Sequence, residues 1–230
     1  MNTQVTYSLF NDELVESGSK VVKLTNRSFR YGDGLFESIR IIDGKIPFLN
    51  YHLERLRKGC NFLKLHAEPI FKENVLLNKI NLLIDKNKIK QGAKVRIMVF
   101  REDGGLYSPE KNNAILAIEV KALEQNSFEL NTKGLHIDIY PEIKKQIHAL
   151  SNHKTNNCLA YVMASIYKTE KKLDDCVLVN DKGNVCEAIS SNLFLVINGA
   201  LYTPAITEGC LDGGMRKIIL ENTRIHRINI

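Results

Sequence analysis

Two turn signals commit both halves of the chain to antiparallel hairpins. Asp43-Gly44 interrupts the alternating stretch SIRIIDGKIPFL, and Asn198-Gly199 interrupts NLFLVINGALYTP. Such pairs tolerate the positive φ angles that tight hairpin turns require. Helical periods lie between these hairpins. In NYHLERLRKGCNFLKL, Leu53, Leu56, Cys60 and Leu63 recur at helical spacing, and KENVLLNKINLLIDKNKIK (72–90) alternates Leu and Ile with Lys and Asn in the same way. VTYSLFNDELV reads as two extended pieces around a polar turn, while KVRIMVFRE and NAILAIEVKAL read as an antiparallel pair flanking the loop DGGLYSPEKN. The pattern loosens around 120–135. A strand (LHIDIYP), a helix (NCLAYVMASIYKTEKKL), a strand–turn–strand (DCVLVNDKGNVCEA) and a glycine-rich loop opening a helix (EGCLDGGMRKIILENTRI) follow. Hairpins mixed with helices do not make the regular βαβα alternation of a parallel sheet. The expected class is α+β, in two domains, 1–122 and 123–230.

Composition narrows the function classes. The 230 residues are 44% hydrophobic and 25% charged, ordinary for a globular chain able to bury a substantial core. A net charge of +6 would suit a polyanion, but the 32 basic residues are scattered, and the densest run reads as a solvated helix face. Nucleic acid is therefore not an expected partner. The five cysteines are odd in number, widely spaced and without a CxxC pair, so neither a disulfide framework nor a metal site is indicated. The N-terminus lacks the pattern of a secretory signal, and no apolar run approaches the roughly 20 residues of a membrane span. A cytoplasmic address is the default.

Four features have both a plain and a chemical reading. Lys154, in SNHKTNNCLAY, is either a surface charge or a reactive amine. YGDGLFESIR (31–40) is either a tight turn feeding a strand or part of a site. Arg55 falls near the apolar stripe of its helix, where it needs an anion: an intramolecular carboxylate or a ligand phosphate. EGCLDGGMRK (208–217) opens a helix with small residues, leaving backbone N–H groups and the helix dipole to favour an anion, though without the spacing of a P-loop or dinucleotide motif.

Taken together, FRYGDGLFESIRIIDGKIPFLNYHLERL, SNHKTNN followed by a helix, DDCVLVNDKGNVCEAISSNLFLVINGALYTP and TEGCLDGGMRK resemble, in order and spacing, the class IV pyridoxal-phosphate enzymes. These comprise branched-chain aminotransferases, D-amino-acid aminotransferases and aminodeoxychorismate lyases. The resemblance implies a small N-terminal α/β domain and a larger C-terminal domain with pyridoxal 5′-phosphate between them, and a homodimer acting on a small amino substrate. It implies that Lys154 forms the internal aldimine, Glu187 pairs with the pyridine nitrogen and Arg55 grips the phosphate. Ser190, Ser191 and Asn192 would close around the cofactor, and Gly213 and Gly214, followed by Met215, would form the phosphate loop.

Departures from the family pattern mark the substrate side. Met215 stands where a hydroxyl residue is frequent, Cys158 where some aminotransferases carry a tyrosine, and Leu106 where lyases and D-amino-acid enzymes carry an arginine. Arg96, Arg101 and Tyr107 are the nearby candidates for a substrate carboxylate. The GDGLFES block leans toward the lyase and D-amino-acid branches. The chain also ends some tens of residues before family members usually do. Transamination, expulsion of pyruvate from aminodeoxychorismate and a non-catalytic relative of the fold are the three readings carried forward.

Overall fold

In the computed structural model, which describes residues 5–222 and 226–228 apart from 73 and 125, two units each build their own core. One comprises Met1–Glu129 with Lys154–Asn157, the other Leu130–His153 with Cys158–Ile230.

The first unit is organised by a sheet whose strands are β1 (Tyr7–Phe10), β2 (Glu13–Glu16), β3 (Gly34–Ile41), β4 (Ala93–Arg101) and β5 (Ala114–Ala122). Their order is β2-β1-β5-β4-β3, antiparallel at every pairing. Side chains alternate across a strand, so one face collects Leu35, Ile39 and Ile41 of β3, Val95, Ile97 and Val99 of β4, and Leu116 and Ile118 of β5. Onto this core pack Leu56 and Cys60 of α2 (Leu49–Phe62) and Leu76, Ile80 and Leu83 of α3 (Val75–Lys86). Both helices fall where the periodicity predicts them. A short α1 (Arg27–Tyr31) precedes β3; Asn26 caps it by accepting from the Phe29 N–H, and Gly32 ends it at φ 66°. The Asp43-Gly44 turn forms with both φ angles positive, but the expected second arm stops at the Ile42–Lys45 pair. Pro47 has no N–H to extend the ladder, and Phe48, at φ 60°, turns the chain into α2.

The second unit holds β6 (Ile137–Ile139), α4 (Leu159–Glu170), β7 (Asp175–Val179) and β8 (Val185–Ala188). Their sheet runs β6-β7-β8, with β6 parallel to β7. That parallel pair was not legible as such; α4 is the crossover between its strands. Tyr140, Ala164, Cys176 and Leu178 form the core. The Asn198-Gly199 turn joins β9 (Leu195–Ile197) to β10 (Ala200–Pro204), β11 (His226–Ile228) runs parallel to β10, and α5 spans Gly214–Asn222.

One inward position of β3 is not apolar. Glu37 lies on the face of Leu35 and Ile39 at 1% exposure, and Arg55 of α2 meets it with Nε and Nη2, each 2.6 Å from a carboxylate oxygen. His52 adds a hydrogen bond of 2.8 Å. Burial pushes the Glu37 carboxyl up, but the Arg55 and His52 hydrogen bonds and charges outweigh it and hold it below its ordinary value of 4.5. A carboxyl depressed on folding stabilises above its unfolded value and loses that contribution as pH falls through the folded one. Glu37→Gln, leaving Arg55 buried without its counter-ion, is therefore expected to cost about 3–5 kcal/mol in urea unfolding at neutral pH. It should also remove the share of the acid-side loss of stability below 4.5 that Glu37 contributes, and a Glu37→Leu/Arg55→Met pair should recover most of the deficit.

Candidate active site

The Lys154 segment is attached to the start of β3. Phe36 N–H donates to the Lys154 carbonyl at 3.0 Å, Asn156 N–H donates to the Gly34 carbonyl at 2.9 Å, and Leu35 and Thr155 form an antiparallel bridge. The Asn156 side chain reaches Ser28 Oγ at 2.7 Å. The glycines of the GDG turn allow this approach. A Cβ on Gly34 would stand 2.6 Å from Phe100 Cβ and 2.7 Å from Asn156 Nδ2, and one on Gly32 would stand 2.3 Å from Asn157 Oδ1. The Lys154 ammonium lies 4.5 Å from the centre of the Phe36 ring, and the Arg96 guanidinium lies 4.2 Å from the same ring. Both distances are within cation–π range. Phe36, Ser38 and Arg96 occupy the half-buried face of β3 and β4, opposite the core, with Ser38 paired to Arg96 in register.

The other substrate candidates separate. Arg101 is buried and braces the unit: Nε donates to Asp33 at 2.9 Å, Nη2 to the Leu63 carbonyl at 2.7 Å, and Nη1 to Asn112. Those bonds commit it to structure rather than to a substrate carboxylate. Arg27 shares Asp33 at 2.9 Å and donates to the carbonyls of Gly104, Gly105 and Leu106, holding the loop in place. Tyr107 stands on that loop at 88% exposure, its ring 5.5 Å from Tyr31. Arg55 meets the intramolecular carboxylate of Glu37 through Nε and Nη2, one of the two kinds of partner open to it.

In the second unit Glu187, on β8, is 4% exposed and enclosed by donors. Oε1 accepts from Tyr161 Oη of α4 at 2.7 Å and pairs with the Lys145 ammonium; Oε2 accepts from the Leu211 backbone N–H at 2.9 Å. Burial and then the Glu187 charge push the Tyr161 hydroxyl far up, so it stays a neutral donor. The Cys186 thiol is pushed up to about 12, chiefly by burial. Ser190 and Ser191 follow just beyond β8, and the Ser191 carbonyl accepts from Ala188 N–H at 2.9 Å. Asn192 closes on Gly213, where an added Cβ would stand 2.1 Å from its Oδ1. Gly214 begins α5, Met215 is half exposed, and Arg216 is buried in the first turn. Arg216 donates to the Pro204 carbonyl at 2.8 Å, while its Nε has no partner among the described residues.

Sequence reasoning missed Glu37, Asp33, Lys145 and Tyr161. The alternation of LFESI could have placed Glu37 on the core face; nothing local distinguishes Lys145 within IKK. Among the described residues no group of His, Cys, Asp and Glu could hold a metal ion, and no helix is long and apolar enough to cross a membrane.

Five antiparallel strands backed by two helices, a lysine pinned to β3 and a buried carboxylate ahead of a glycine-opened helix together define a recognised class of fold. The class IV amino-transferase family model matches residues 34–230, and the chain belongs to that family. The chain is 28% identical over 217 residues to the aminodeoxychorismate lyase of Bacillus subtilis (strain 168), covering 93% of this chain and 72% of that protein. It is 30% identical over 220 residues to a probable branched-chain-amino-acid aminotransferase of Rickettsia bellii (strain RML369-C), covering 94% and 73%. The fold matches that of the branched-chain amino acid aminotransferase from Escherichia coli, at a TM-score of 0.83 and 19% identity over 99% of this chain and 77% of that one. The resemblance read from the sequence motifs is thus upheld for family and fold.

Gly34→Ala tests how the Lys154 segment is held. The added methyl group must displace Phe100, Asn156 or the Val99 carbonyl. We expect a loss of about 1–3 kcal/mol in urea unfolding, together with faster proteolytic cutting within residues 154–157.

Proposed function

We propose that this family member is a pyridoxal 5′-phosphate enzyme that works on the amino group of a small carboxylate-bearing substrate, with Lys154 as its reactive amine. The observation that carries this reading is the donor set around Glu187. A carboxylate offers about four lone-pair positions. Among the described residues, two donors occupy Oε1 and one occupies Oε2, so Oε2 has room for the N–H of a protonated pyridine ring. The start of α5 also fits a phosphate: Gly213 is close against Asn192, the first-turn amides point out of the helix end, and Arg216 adds a positive charge.

When bound, pyridoxal phosphate supplies an electron sink for the charge left on the substrate's α-carbon. The chain's own residues do the rest. Lys154 would hold the cofactor through Nζ, and the same amine, when free, would be the base for the substrate's α-proton. Glu187 keeps a proton on the ring nitrogen. Arg55, oriented by Glu37, and the Gly214 and Met215 amides would be the phosphate's donors, the Gly213 amide being taken by the Leu211 carbonyl at 2.8 Å, with Ser190, Ser191 and Asn192 as the closing residues. Arg96 receives the substrate carboxylate, and the Phe36 face excludes water on one side.

Aminodeoxychorismate lyase is the second reading. The Bacillus subtilis relative favours it, and the early steps are shared. We also read the working form as a homodimer. Phe29 and Leu106, each at 72% exposure, and Tyr107 present apolar surface on the first unit that a second copy would cover.

The test is an absorbance scan of purified protein with and without added pyridoxal phosphate. A band near roughly 410–430 nm that Lys154→Ala abolishes is the expected result; its absence from the wild type would sink the cofactor reading. Release of pyruvate from aminodeoxychorismate, against release of a keto acid from amino acids, then separates the two activities.

A further inference from the structure

Lys145 is the strongest feature that the proposed reaction leaves unused. It precedes β7 in the chain, yet its backbone N–H is anchored to the Val179 carbonyl at 2.8 Å, pairing it with the end of that strand. Its side chain is only 12% exposed, and its ammonium pairs with Glu187 Oε1 and lies 5.6 Å from the Tyr161 ring centre. A half-hydrated surface lysine gains little from such an ion pair, and removing water from an ammonium is costly. Here the cost is met at the one carboxylate assigned to the ring nitrogen.

We propose that Lys145 is a positioning residue: with Tyr161 it saturates Glu187 Oε1, turns Oε2 toward the ring nitrogen, and weakens the hold on the proton there. The inference rests on the cofactor reading above. A lone buried carboxylate would hold that proton tightly. A carboxylate already paired to an ammonium presents a nearly neutral pair, so the proton is held less firmly.

Other titratable groups around the pair are Tyr161 and Cys158 from α4 and its N-terminal edge, Cys186 from β8, and Glu208, Cys210 and Arg216 from the segment ending in α5. Tyr161, Cys186 and Cys210 are all pushed upward, with burial as the largest cause, so they remain neutral around pH 7. Glu208 and Arg216 stay charged but bond elsewhere, to Asn180 and Asn184 and to the Pro204 carbonyl, so among the described residues Lys145 is the cation paired with Glu187.

The measurement is a pH titration of the visible band of cofactor-loaded protein for wild type, Lys145→Met, Lys145→Gln and Lys145→Arg. Removing a neighbouring positive charge favours the protonated form, so the midpoint should rise by about one pH unit in the Met and Gln variants. The Arg variant should keep the wild-type midpoint. The Gln variant retains a donor amide and serves if Met prevents folding. A purely structural lysine would lower stability and cofactor occupancy in the charge-free variants and leave the midpoint where it was, and that result overturns the proposal. A wild type without any visible band overturns the cofactor reading itself, and so is told apart from a band whose midpoint does not move.

Discussion

The first unit depends on a charge placed where an apolar residue would ordinarily stand. Glu37 occupies a core-facing position of β3, and the two-pronged bond from Arg55 makes that tolerable. Each ion would be strongly destabilising alone. Together they fix the rotation of α2 against the sheet, because a guanidinium fork meets a carboxylate in few orientations. The apolar contacts of Leu56 and Cys60 then follow from the same helix face.

Strand β3 thereby serves two purposes. Its inward residues build the core, while Phe36 and Ser38 look the other way, beside Arg96 and the Lys154 segment. A register shift of one residue would exchange these faces and bring Phe36 into the core. The close approach of Gly34 and Gly32 to Asn156 and Asn157 fastens the lysine to this strand, so the GDG turn is both a turn and a seat. Asp33, between the two glycines, collects Arg27 and Arg101 and connects the seat to the loop that carries Tyr107.

In the second unit the design is the reverse: a carboxylate is crowded with donors, none of which belongs to its own strand. Tyr161 comes from α4, Lys145 from the approach to that helix and Leu211 from the loop before α5. Glu187 therefore ties together three segments that are separate in the chain. Its chemistry is set by what those segments bring.

Local patterns made much of this legible. Helical spacing marks α2, α3 and α4, and paired turn residues mark the 43–44 and 198–199 turns, because both depend on near neighbours. Family membership was legible in four ordered motif blocks. The truncated second arm after Gly44 was readable in principle from Pro47, whereas the parallel β6–β7 pair depends on a contact across an intervening helix. By itself the sequence determined the α+β class, the family and the residues available for chemistry. Only the tertiary structure decided which charges meet: Arg55 with Glu37 across 18 positions, and Lys145 with Glu187 across 42. Ion pairs between distant segments leave no periodic trace, and their strength comes from burial, which exists only once the chain has folded.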